Sequence, residues 1–136
     1  MNKIAHIGIA VKNLDEMIPF YRDTLGLEFN GVEIVPSENV KVAFFKIGES
    51  AIELLEPTNE QSAIAKFIEK KGEGIHHIAL DVDDIELRLK SFKDQGIPLV
   101  HEKPKRGAHD SLVAFLHPKA ANGVLFELCQ SKQEDV

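Results

Sequence analysis

Over residues 4–11, "IAHIGIAV", apolar and polar positions alternate with a period of two. His6, Gly8 and Ala10 share one face, and Ile7, Ile9 and Val11 share the other. A half-buried strand follows from that pattern. The period then lengthens: Leu14, Met17, Ile18, Tyr21 and Leu25 recur at helical spacing, so a helix is expected. Asn13 with Glu16 three residues later forms a capping box at its start, and Gly26 stops it. Pro19 lies inside this stretch and should kink or shorten the helix, because its ring cannot donate to the ladder. Strand-like runs follow at "VKVAFFKIG" and "SAIELLEP", then a helix over residues 62–71 with Ile64, Phe67 and Ile68 on one side.

The pattern then starts again. "HIGIAVKNLDEMIPFYRDTLGLEF" lies over "HIALDVDDIELRLKSFKDQGIPLV", with one residue of slack before Gly26 and Gly96. His6 thus corresponds to His77, 71 positions on. "VAFFKIGESAIELL" likewise resembles "VAFLHPKAANGVLFELC", the second copy carrying an insertion at "PKAANG". In the second copy Asp83 and Glu86 can cap the helix, with Ile85, Leu89 and Phe92 as its buried stripe. Two copies are too few for a solenoid, which needs three or more repeats to bury a core. The pattern predicts one domain over residues 1–136, made of two pairing repeats at about 1–58 and 74–132 joined by the helix. Each repeat reads strand, helix, then several strands.

Composition narrows the partners. A formal charge of −6 argues against a nucleic-acid backbone, which calls for a basic surface. No apolar run approaches membrane-spanning length, and the first residues enter a strand pattern directly, so a cytoplasmic protein is expected. The single cysteine, Cys129, excludes an internal disulfide framework and suits a reducing compartment.

The chemistry sits at matching places in the two copies. His6 shares its face with the small residues Gly8 and Ala10, and His77 shares its face with Ala79, so both imidazoles point to a side with room. His76 points the other way, into the helix-packed side, and is expected to be structural. Toward the end of each copy stands an acid between apolar neighbours: Glu53 in "AIELLEP" and Glu127 in "LFELC". Buried carboxylates need a partner or a cation. Two histidines and two glutamates make a nitrogen and oxygen donor set suited to a divalent transition metal such as Zn, Co, Ni or Mn.

These residues resemble a known family. Tandem βαβββ modules forming a cupped mixed sheet around His and Glu ligands, an α+β architecture, look like the vicinal oxygen chelate (glyoxalase-like) superfamily. Within it, "HIGIAVKNLDE", "IELLEP", "IAKFIEKKGEGIHHIALDVDDIE" and "VAFLHPKAANGVLFEL" closely resemble methylmalonyl-CoA epimerases. The resemblance implies metal ligands at His6, Glu53, His77 and Glu127, with cobalt favoured among the divalent ions. It implies an acyl-CoA substrate and a homodimer. It also exposes a departure: some members carry a glutamate proposed as a base on the strand before Glu53, and that place here is Val42, next to Lys41. Others have glutamine where Glu53 stands.

Epimerisation between a thioester and a carboxylate requires proton removal on one face of an enolate and delivery on the other, hence two acid–base groups. Glu127 is the stronger candidate base, and Glu53 is either a base or a ligand only. Lys103, Lys105 and Arg106 in "KPKRG", with Lys66, Lys70 and Lys71, are candidates to meet the CoA phosphates, while His109 and His117 are assigned to loops. Two rival readings share the fold. A glyoxalase I-type lactoylglutathione lyase would use the same metal set, and a non-catalytic ligand-binding protein could dispense with it.

Overall fold

Strand β1 (Ile4–Ala10) runs into helix α1 (Leu14–Pro19), whose first turn is closed by the Asn13 side chain accepting the Glu16 backbone N–H at 3.1 Å. The computed structural model describes residues 1–132. Pro19 has the expected effect: α1 ends there, and the chain continues as a π-helical turn over Phe20–Thr24 until Gly26, at φ +74°, reverses it. Then come β2 (Glu28–Val35), β3 (Val40–Ile47), β4 (Ser50–Pro57) and α2 (Ala63–Lys71), the last capped by the Ser62 hydroxyl accepting from Ile64 N–H. The second copy supplies β5 (Gly74–Asp81), α3 (Ile85–Asp94), β6 (Lys105–Arg106), β7 (Leu112–Phe115) and β8 (Phe126–Gln130). The architecture is α+β. Among the described residues, no helix is long and apolar enough to cross a membrane.

The chain divides into two compact units. One is His6–His76, and the other joins Met1–Ala5 to the chain from His77 onward. In the first unit the strand order is β2-β3-β4-β1, with β1 parallel to β4 and the other pairs antiparallel. In the second the order is β6-β7-β8-β5, again with one parallel pair, β5 on β8. The two units repeat one connectivity. The first residues reach the second unit through Asn2, whose N–H donates to Asp81 O at 3.0 Å and whose amide donates to Asp83 Oδ1 at 2.8 Å.

That last contact corrects one expectation. Asp83 does not cap α3. Asp84 does, accepting the Leu87 N–H at 3.1 Å, while Asp83 is taken by Asn2. Two further differences concern strands. β2 has a register shift between Phe29 and Val32 and turns the apolar Val32 and Ile34 to its exposed side, and β6 is two residues long, shorter than any periodicity can mark.

Each unit covers one sheet face with its helix. In the first, Leu14 and Ile18 of α1 pack with Val11, Ala43, Phe45 and Leu54, and Tyr21 and Phe29 stack around Phe45 at 5.5 and 5.3 Å. In the second, Ile85 and Leu89 of α3 pack with Val82, Ala114 and Leu128. Burying such side chains is worth about 1.5–3 kcal/mol each, enough to fix which sheet face meets the helix. The opposite face is thereby left for chemistry.

Candidate active site

On β1 and β4, the register sets Gly8 beside Glu53. Neighbours across a ladder project to the same side, and His6, two residues before Gly8, joins them there. His6 Nδ1 lies 3.0 Å from Glu53 Oε2, with both side chains largely withdrawn from solvent. Antiparallel pairing adds Phe44 opposite Glu53 on the same face.

The second unit repeats this placement residue for residue. Ala79 stands beside Glu127 on β5 and β8, His77 precedes Ala79 by two, and Phe115 lies opposite Glu127. His77 Nε2 is 3.5 Å from Glu127 Oε1, and both residues are buried. Phe115 meets the His77 ring edge-on, with centroids 5.3 Å apart. The halves differ in one respect: His6 presents Nδ1 to its acid and His77 presents Nε2. Each unit therefore holds one buried imidazole nitrogen against one carboxylate oxygen, a donor pair chemically suited to a divalent cation. The donor set fits the metal that the superfamily implies.

His76 turns to the other side of β5, as alternation requires, and its ring packs edge-on against Phe67 of α2 at 5.0 Å. Burial, and after it the nearby Lys71 charge, push the His76 imidazole down to about 4. It is a neutral packing residue. His117 is also structural: its Nδ1 accepts the Lys119 N–H at 3.1 Å and closes a 3-10 turn over Pro118–Ala121. His109 sits exposed in a tight turn at φ 54°. Of the expected phosphate-binding cations, Lys66, Lys70, Lys71 and Lys103 are exposed, and Lys71 Nζ lies 5.9 Å from the Phe67 ring centre. Arg106 lies 3.9 Å from Asp110.

Two features escaped sequence reasoning. Phe44 and Phe115 flank the acids at equivalent places, a recurrence visible in "VAFF" over "VAFL" but meaningful only once the register is known. His101 accepts the Phe115 backbone N–H at Nδ1, 3.1 Å away, which holds the strand carrying the aromatic wall. It has no counterpart in the first copy, so repetition could not mark it.

The model of the Glyoxalase/Bleomycin resistance protein/Dioxygenase superfamily matches residues 5–115. An uncharacterized protein of Bacillus subtilis is 42% identical, over 97% of this chain and 94% of its own. The ethylmalonyl-CoA/methylmalonyl-CoA epimerase of Cereibacter sphaeroides is 41% identical, over 96% and 98%. Among solved structures, a methylmalonyl-CoA epimerase variant of Streptomyces coelicolor in complex with 2-nitronate-propionyl-CoA superposes with a TM-score of 0.94. It is 39% identical, over 100% of this chain and 99% of that one. Within the superfamily, the chain belongs to the methylmalonyl-CoA epimerase family.

Proposed function

We propose that this chain interconverts the two epimers of methylmalonyl-CoA, and that His6, Glu53, His77 and Glu127 together hold one divalent metal ion. The observation that carries the reading is the His–Glu pair recurring at one register in both units, Gly8 beside Glu53 and Ala79 beside Glu127. Full-length similarity to epimerases supports the choice of substrate over a hemithioacetal. When bound, the cation supplies positive charge to the thioester oxygen as negative charge develops there.

The protein's own groups do the rest. The imidazoles offer neutral nitrogen lone pairs and the carboxylates anionic oxygens, the two kinds of donor such an ion accepts. Glu127, with two oxygens, can engage a cation with one and take the α-proton with the other. Its burial keeps water from competing for that proton. Phe44 and Phe115 stand opposite the two acids and set apolar surface beside each of them. Glu53 serves as a ligand, a role compatible with the glutamine that some members of the resembled family carry at its place. Phe44 stands opposite Glu53 on β3, and Val42, two residues before it on the same face, is buried and apolar, so β3 offers no acid there and the second proton donor stands elsewhere.

The reading extends to a homodimer in the cytoplasm, with the CoA phosphates met by exposed lysines. The primary test is epimer interconversion by chelated protein before and after cobalt, manganese, nickel or zinc is added back, with hemithioacetal isomerisation assayed in parallel. Metal-dependent loss of optical purity in the thioester supports the reading. Turnover of the hemithioacetal alone contradicts it.

A further inference from the structure

Strand β6 carries two adjacent cations that face opposite ways. Lys105 pairs with Val113 and Arg106 with Leu112. Leu112 packs toward α3 with Leu116 and Ala114, so Arg106 lies on the helix-covered side, exposed and 3.9 Å from Asp110. Val113 is two residues from Phe115, which stands opposite Glu127. Lys105 therefore shares the face of Val113, Phe115, Glu127 and His77, and it is partly buried where Lys103 and Arg106 are exposed. Gly107 fixes this placement. A Cβ there would meet Val113 Cγ1 at 2.9 Å, so the turn after β6 can close onto Val113 only without a side chain.

The repeat makes the position more telling. Val113 corresponds to Val42, and the residue across from Val42 on the neighbouring strand is Glu33. Each unit thus sets a charged residue at the same register position relative to its own acid, an anion in one and a cation in the other. The substrate of the proposed reaction is asymmetric in the same sense: one substituent of its reacting carbon is a carboxylate. A carboxylate is attracted by an ammonium and repelled by another carboxylate.

From this arrangement we infer that Lys105 binds the acyl carboxylate and so selects malonyl-type thioesters over those lacking the acid. The inference rests on the proposed epimerase reading and deepens it. An ammonium beside the carboxylate also lowers the repulsion that opposes a second negative charge on the adjacent carbon. Lys105 is a specificity residue here; no proton transfer is assigned to it.

The test compares cobalt-loaded wild type, Lys105→Met and Lys105→Arg in calorimetric titrations with methylmalonyl-CoA and with propionyl-CoA. Folding is checked by circular dichroism. Loss of one charge-assisted hydrogen bond should weaken methylmalonyl-CoA about 10- to 100-fold in Lys105→Met and leave propionyl-CoA within about twofold. Lys105→Arg, which keeps the charge, should recover most of the affinity. Equal weakening of both thioesters would overturn the inference and assign Lys105 to the CoA phosphates instead. Unchanged discrimination in Lys105→Met would overturn it as well while leaving the epimerase reading intact. A wild type that binds the two thioesters alike would overturn the inference, while the epimerase reading stands or falls separately on metal-dependent epimer interconversion.

Discussion

Replacing Glu127 by glutamine changes one atom's chemistry and almost nothing else. The side chain is buried against His77 at 3.5 Å and opposite Phe115, so an amide of the same shape fits the same space. The amide oxygen can still face a cation, but it does not accept a proton at neutral pH. A positioned base is worth about 10²- to 10⁴-fold in rate. Epimerisation in Glu127→Gln should therefore fall by that factor, about 2.7–5.5 kcal/mol in barrier height. The assay is deuterium uptake from heavy water, followed separately from each epimer with metal-loaded protein. Exchange should persist from one epimer and be suppressed from the other, because only one face loses its base. Metal content near that of the wild type separates this loss from a coordination defect. A metal-loaded Glu127→Gln that epimerises at the wild-type rate would refute the reasoning and reduce Glu127 to a ligand.

Other outcomes follow from the same geometry. Glu53→Gln should keep substantial activity, measured as epimerisation rate per bound metal; a collapse as deep as that of Glu127→Gln would make Glu53 a base. His77→Ala should lose metal, whereas His76→Ala should keep it and lose melting temperature, because His76 packs on Phe67. Equal metal loss in the two would show the assignment of faces to be wrong. His76 also sets a pH dependence. Its folded pKa of about 4 lies below the unfolded value near 6.5, so the unfolded chain takes up the proton first. That contribution is fully present above about pH 6.5 and is lost as pH falls toward 4, roughly 2 kcal/mol after discounting for partial exposure. Denaturant midpoints measured across that range should fall more steeply for wild type than for His76→Gln.

Much of this arrangement was legible from period and repetition. A histidine two places before a small residue, and an acid between large apolar ones, imply a shared face once two copies agree in phase. Asn13 and Pro19 acted locally, so their effects could be read locally. What escaped depends on register. Nothing in "KPKRG" says which cation faces the acids; the pairing of Lys105 with Val113 decides it. Asp83 and Asp84 are both competent caps, and the choice fell to Asn2, far away in sequence. β2 escaped because its exposed side carries the apolar Val32 and Ile34, and β6 because two residues are too few to show a period. The repeat marked His6, Glu53, His77 and Glu127 as one donor set, but not that His6 meets Glu53 through Nδ1 and His77 meets Glu127 through Nε2.

The central claim is that the two repeated pairs serve a single ion. It is tested most directly by metal stoichiometry: chelated protein is reloaded with cobalt, freed of excess, and analysed for metal per chain in wild type, His6→Ala and His77→Ala. One ion per wild-type chain, with binding lost in either variant, is the predicted result. Two ions per chain, each variant losing one and keeping the other, would show that the halves bind metal independently and would contradict the account.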